Sequence, residues 1–158
     1  MKLAIDNPNS AAEYFLSKRP MSQKKLHKML YFSYAWYLYI NNDEGNEIEN
    51  RLFENTFQAW VHGPVLTSIY FRYNDYGFRE ISSTRSDFSD LKKEVVEFLN
   101  SMIIAYGNSP ADELEMISHM DNAWKNARIG YGPFDACKVG LSDLEIFEYR
   151  RQTYVKEY

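Results

Sequence analysis

Lys25-Leu26-His27-Lys28-Met29-Leu30-Tyr31-Phe32, continued by Ser33-Tyr34-Ala35-Trp36-Tyr37-Leu38-Tyr39-Ile40, is the stretch from which the architecture follows. Leu26, Met29, Leu30, Ser33, Trp36, Tyr37 and Ile40 recur at three- and four-residue spacing and make one apolar helical stripe. Tyr31, Tyr34, Ala35 and Leu38 make a second face almost as apolar. A helix apolar nearly all round is normally enclosed by protein, so the rest of the chain is expected to wrap this one. Ser22 stands where an N-cap belongs, and Met21 before it is placed to staple onto Leu26. Asn41-Asn42-Asp43-Glu44-Gly45 reads as the polar loop that ends the helix.

Upstream, Ser10-Ala11-Ala12-Glu13 reads as a capping box opening a short helix that Pro20 stops. Downstream, residues 55–61 suit a short strand, and Gly63-Pro64 reads as a break and a helix restart, with Pro64 in the first turn. Val65, Leu66, Ile69, Tyr70 and Tyr73 would be that helix's inner face, and Gly77 its end. A second short strand is expected around Arg79 to Ser82. Leu91, Val95, Phe98, Met102 and Tyr106 mark a fourth helix closed by Gly107, and Ser109-Pro110-Ala111-Asp112 opens a fifth through about Ser118. Gly130-Tyr131-Gly132-Pro133 is a loop, and Ser142 with Glu145 opens a last helix. The expected fold is mainly α: one compact helical domain over residues 1–158, of about six helices around a central buried helix, with a small two-stranded β element.

Composition bounds the function. The 158 residues are 45% hydrophobic and 25% charged, which fits one ordinary globular domain. Met1 to Asp6 offers too short an apolar stretch for a signal peptide, there is no run of eighteen apolar residues, and the one cysteine, Cys137, cannot form an internal disulfide. A cytoplasmic protein without a membrane partner is expected. A net charge of -4 argues against a nucleic-acid partner. Aromatic residues reach 16%, with 13 Tyr, 10 Phe and 3 Trp, a supply that serves a core and an interface equally well.

The machinery of catalysis is not assembled in the sequence. His27, His62 and His119 are the three histidines, and no H-E-x-x-H, C-x-x-C or paired-histidine spacing occurs, so no metal, cofactor or catalytic residue is assigned. Cys137 lacks an activating neighbourhood, and Gly130-x-Gly132 runs into Pro133, which removes a donor where a phosphate loop needs one. Lys24, Lys25 and Lys28 are physically odd, because cations in the first turns oppose the helix dipole. Either a carboxylate of the same chain, such as Glu13 or Asp75, or an acidic face or bound phosphate on another molecule is expected beside them.

The helix from Lys25 to Phe32 is followed by Ala59-Trp60-Val61-His62-Gly63-Pro64-Val65, then by Tyr70 through Gly77, then by Leu114-Glu115-Met116-Ile117-Ser118-His119 with Ala123-Trp124. This ordered set resembles the SocA-like, Panacea antitoxin-domain family, also labelled phage-associated protein. It carries that family's K-L-x-K-L-L-Y-F, A-W-x-x-G-P-V, L-Y-x-x-F-x-x-Y-G and E-L-x-x-x-T-H-x-x-x-P-W segments. The likeness spans roughly Ser10 to Trp124 and is expected to extend to the C-terminal helix. Ser118 stands where the family usually has Thr and Ala123 where it usually has Pro, a change expected to loosen the turn before Trp124.

The resemblance implies an antitoxin that neutralises a cognate protein toxin, encoded nearby in a toxin-antitoxin or phage-associated system, by protein-protein contact and without chemistry of its own. Some relatives present the toxin to a protease, so an adaptor role stays open, as do a DNA-binding autoregulator, a hydrolase using His62 and His119, and a homo-oligomer. The candidate partner-binding or motif residues are Lys25, Lys28, Tyr31, Trp60, His62, Gly63, Pro64, Tyr70, Tyr73, His119 and Trp124. The C-terminal Val155-Lys156-Glu157-Tyr158 carries no recognisable degradation tag.

Overall fold

The computed structural model describes residues 2–156, with side chains through residue 154; Glu157 and Tyr158 lie outside the described residues. In chain order the elements are β1 (Lys2–Leu3), α1 (Pro8–Lys18), β2 (Met21–Ser22), α2 (Gln23–Asn41), β3 (Asn50–Arg51), β4 (Phe57–Trp60), β5 (Gly63–Leu66), α3 (Thr67–Tyr73), a 3-10 turn (Asn74–Tyr76), β6 (Glu80–Ile81), α4 (Lys93–Tyr106), α5 (Ala111–His119), α6 (Asn122–Ala127) and α7 (Asp143–Lys156). The protein is mainly helical, as the periodicity predicts. Among the described residues there are three two-stranded sheets: β1 with β3 in parallel, and β2 with β6 and β4 with β5 antiparallel.

The central helix is α2. Ser22 caps it, its side chain accepting from the Lys25 amide, and α1, α3, α4, α5, α7, β2, β3 and β5 all pack on it. Leu26, Met29, Leu30, Tyr31, Phe32, Tyr34, Ala35 and Leu38 are wholly buried. Only the last turn of the predicted stripe leaves the core, with Ile40 61% exposed. Buried tyrosines need partners for their hydroxyls, and each hydroxyl here ties α2 to a distant element. Tyr31 donates to Asp121 Oδ2 at 2.6 Å, and Tyr34 to Asp143 Oδ1 at 2.6 Å. Asp143 also receives Arg51 at 2.5 Å and the Asn55 amide at 2.8 Å, joining α7 to the loop before β4.

Several boundaries differ from expectation. The first helix starts a turn earlier than Ser10, because Asn7 accepts from the Asn9 amide and Pro8 occupies the first helical position, where its missing N–H costs nothing. Ser10 instead donates to Asp90, and Glu13 pairs with Arg72 and Arg85. Pro110, not Ser109, holds the N-cap position of α5. The unforeseen α6 is only six residues long, too short for a periodic signature.

The largest correction concerns Gly63-Pro64. It does not restart a helix; Gly63 to Leu66 is the second strand of a hairpin, paired from Trp60↔Gly63 to Phe57↔Leu66 across the turn Val61-His62. Pro64 lies opposite Ala59, whose N–H points the other way and donates to the Val139 carbonyl at 2.9 Å. That makes Ala59↔Pro64 a pair without ladder bonds to β5, the place where a strand tolerates proline. The segment before α7 closes the outer side of β4, since the Leu141 amide donates to the Phe57 carbonyl at 3.2 Å and Gln58 bridges to Gly140.

Replacing Tyr31 by Phe strands the Asp121 carboxylate, 1% exposed, without its shortest donor. The expected cost is about 1–3 kcal/mol, the penalty of an unmet buried acceptor, read as a lower urea midpoint at unchanged slope.

Candidate functional site: a groove over a buried lysine

The first turns of α2 carry Lys24, Lys25 and Lys28 to three different partners, none of them Glu13 or Asp75. Lys24 bridges to α5, reaching Asp112 at 2.8 Å and Glu115 at 3.4 Å. Lys25 donates to the Gly107 carbonyl at 2.6 Å, and Arg19 bonds the same oxygen. That oxygen lies at the C-terminal, negative end of α4, so the cations unfavourable to the α2 dipole answer a neighbouring one. Lys28 is 1% exposed, and its ammonium donates to the His62 carbonyl in the hairpin turn. Burial pushes the Lys28 amine down to about 8, against the pull of Glu115.

Gly63 makes this contact possible. Its φ is +117°, and a Cβ there would stand 2.8 Å from both Lys28 Nζ and Ser118 Oγ. Lysine, glycine and serine thus fill one space from α2, β5 and α5. Ser118 is itself buried and donates to the Glu115 carbonyl at 2.8 Å.

The hairpin turn and the α5–α6 corner do meet. The Trp124 indole donates to the Trp60 carbonyl at 2.8 Å, and its ring stacks on His119 with centroids 4.2 Å apart and planes 10° apart. His119 also bonds the Val61 backbone, and burial lowers its basicity. His62 projects outward, its Nδ1 2.8 Å from Glu115 Oε1, the same oxygen that Lys24 approaches. At Ala123 the corner gains a hydrogen bond. Asp121 caps α6 by accepting from the Ala123 N–H at 2.9 Å, a donor that proline lacks.

Beside the hairpin lies a groove of about 790 Å³. Trp60, Val65, Tyr70 and Phe78 form its apolar walls, the Trp60 and Tyr70 rings meeting edge to face at 4.8 Å. Phe78 is 99% exposed at the rim. The basic lining residues are Lys24, Lys28, Lys138, His27 and His62, and among the described residues no carboxylate lines the groove. His27 is buried, and desolvation, helped by Lys28, pushes it down to about 3, so the ring is neutral.

Of the residues singled out in the sequence, Lys28, Trp60, His62 and Tyr70 line the groove, while Gly63, Pro64, His119 and Trp124 build the corner behind it. Tyr31 and Tyr73 are core side chains and Lys25 bonds the end of α4, so these three do not line the groove. Trp60 is half-buried and forms a groove wall. The sequence reading missed His27, Phe78 and Lys138. His27 occupies the variable position of the Lys25 to Phe32 segment, and Phe78 and Lys138 lie outside the quoted motifs.

The sequence model of the antitoxin SocA-like, Panacea domain matches residues 26–125, from the first apolar turn of α2 through Trp124. The chain belongs to this antitoxin family. The match takes in Lys28, the whole hairpin and the Trp60–Trp124 corner, and it starts later than the Ser10 of the sequence likeness. No curated protein and no solved structure matches the chain. Among the described residues, no helix is long and apolar enough to cross a membrane, and no group of three His, Cys, Asp or Glu side chains is placed to hold a metal ion.

Two outcomes follow from Lys28 and Gly63. Unfolded, Lys28 titrates near 10.5, and folded near 8. Across that interval the unfolded chain holds more protons, so stability rises with pH, by about 2 kcal/mol between roughly pH 7 and 9.5. Above about pH 10 the buried Tyr31 and Tyr34, both pushed up, act in the opposite direction. Denaturant melts across this range should show the rise in the wild type and its loss in Lys28→Met. Gly63→Ala should cost about 2–4 kcal/mol, from backbone strain and from the collision with Lys28 and Ser118, measured by the same melts at fixed pH.

Proposed function

We propose that the protein is an antitoxin that neutralises a partner protein by direct contact, with the groove beside the β4–β5 hairpin as the contact surface and no reaction of its own. The observation that carries this reading is the coincidence of the family match with the residues that build the groove: the motif centred on Trp60 to Val65 supplies its wall, and the Lys28 helix its floor. Aromatic side chains at the centre of an interface are the usual anchors of binding energy, and Trp60, Tyr70 and Phe78 gather here. An exposed Phe78 gains nothing in the isolated molecule and becomes favourable only when something covers it.

The catalytic side of the histidines has less support. His62 is held by Glu115, and His119 lies flat on Trp124, so each has a positioning role in the corner. A proteolytic adaptor would use the same surface, and the two roles part in their effect on the partner: occlusion lengthens its lifetime, and delivery to a protease shortens it.

Co-expression with the product of the neighbouring gene should restore growth and give a complex stable to size-exclusion chromatography; if no adjacent product is toxic or co-purifies, the antitoxin reading fails. Phe78→Ala should leave the melting temperature unchanged, because the side chain is exposed, and weaken the complex by tenfold or more, the usual scale for losing an aromatic anchor. Calorimetry on the purified pair reads this directly.

A further inference from the structure

We infer that the groove takes a segment of the partner protein that presents a large apolar side chain next to an aspartate or glutamate, the apolar group against Trp60, Tyr70 and Phe78 and the carboxylate toward Lys28. This rests on the antitoxin reading and names the chemistry it would recognise.

Acidic residues outnumber basic ones across the chain, 22 to 18, yet among the described residues the groove is lined by three lysines and no carboxylate. Lys24 is answered from behind by Asp112 and Glu115, whereas Lys28 and Lys138 have no carboxylate at ion-pair distance among the described residues. Lys138 is exposed at the rim and Lys28 is buried at the floor, so the unpaired positive charge runs from the mouth inward.

The floor of the groove also holds unmet donors. Buried charges in proteins are normally paired, and Lys28 is met by one backbone carbonyl although an ammonium has three N–H groups. His27 adds another donor. Its Nδ1 accepts from the Leu66 amide at 3.4 Å, which leaves the proton on Nε2, and that buried nitrogen has no hydrogen-bond partner among the described residues. A carboxylate is the acceptor that satisfies a cation and a neutral N–H together, with up to four lone-pair sites. The apolar walls end at an exposed Phe78, so the occupant must bring an apolar group together with its charge.

The test pans a random peptide library, displayed on phage, against the immobilised full chain. The expected result is enrichment of peptides with an aromatic or long aliphatic residue beside Asp or Glu. Their binding should fall at least tenfold on Phe78→Ser and on Lys28→Met, and should weaken with added salt. Lys138→Glu, at an exposed position that the fold does not use, should slow their association several-fold even if Lys28→Met proves poorly folded. Enrichment of neutral or basic peptides, binding indifferent to Phe78→Ser and Lys138→Glu, or no enrichment at all overturns the inference. The co-expression assay separates this from the antitoxin reading. Growth restored by the wild type and equally by Phe78→Ser and Lys138→Glu sinks the groove and leaves the antitoxin standing, whereas no restoration by the wild type removes the antitoxin itself.

Discussion

The ammonium of Lys28, shut away from water and bonded to the carbonyl of His62, is the constraint around which the hairpin side of the molecule is arranged. A buried cation is tolerable only where an oxygen is held against it. Holding the turn carbonyl there requires β5 to pass so close to α2 and α5 that one position has no room for a side chain. Gly63 occupies that position, Ser118 is small enough to share the space, and Pro64 is accommodated because Ala59 turns its N–H toward Val139. The motif residues of the family therefore form one packing problem with one solution, and the Trp60–Trp124 bond closes it from the outside.

Whatever depended on local periodicity was legible in the sequence. The 19-residue α2 announces itself by its two apolar faces, and Ser22 fixes its start. Gly63-Pro64 was not legible, because proline after glycine suits a helix start and a non-bonded strand position equally well. Only the pairing of β4 with residues 139–141, some eighty positions away, decides between them. The same distance hid the partners of the lysines: the oddity of three cations on a helix N-terminus was visible, but that α4 and α5 would supply a carbonyl and two carboxylates was not. His27 and Phe78 entered the groove through tertiary packing alone, with no motif to mark them.

Glu115 shows how the polar side of this region is balanced. A single carboxylate oxygen faces both Lys24 and His62, while the backbone of the same residue receives Ser118. One side chain thus couples α5 to the start of α2 and to the tip of the hairpin. Asp112 and Glu115 are engaged with Lys24 and His62, which leaves Lys28 and Lys138 without a carboxylate at ion-pair distance among the described residues.

The groove's walls are drawn from residues 23 to 138, and its closing edge is the Ala136 to Lys138 segment, far along the chain from Lys24 and Lys28. During synthesis the site therefore does not exist until that segment has emerged. At ~5–20 residues per second the interval between the first wall and the last is on the order of ten seconds. Contacts so remote along the chain also slow the final collapse. A chain that has emerged only as far as α3 therefore holds Trp60 and Tyr70 without the edge that completes the groove.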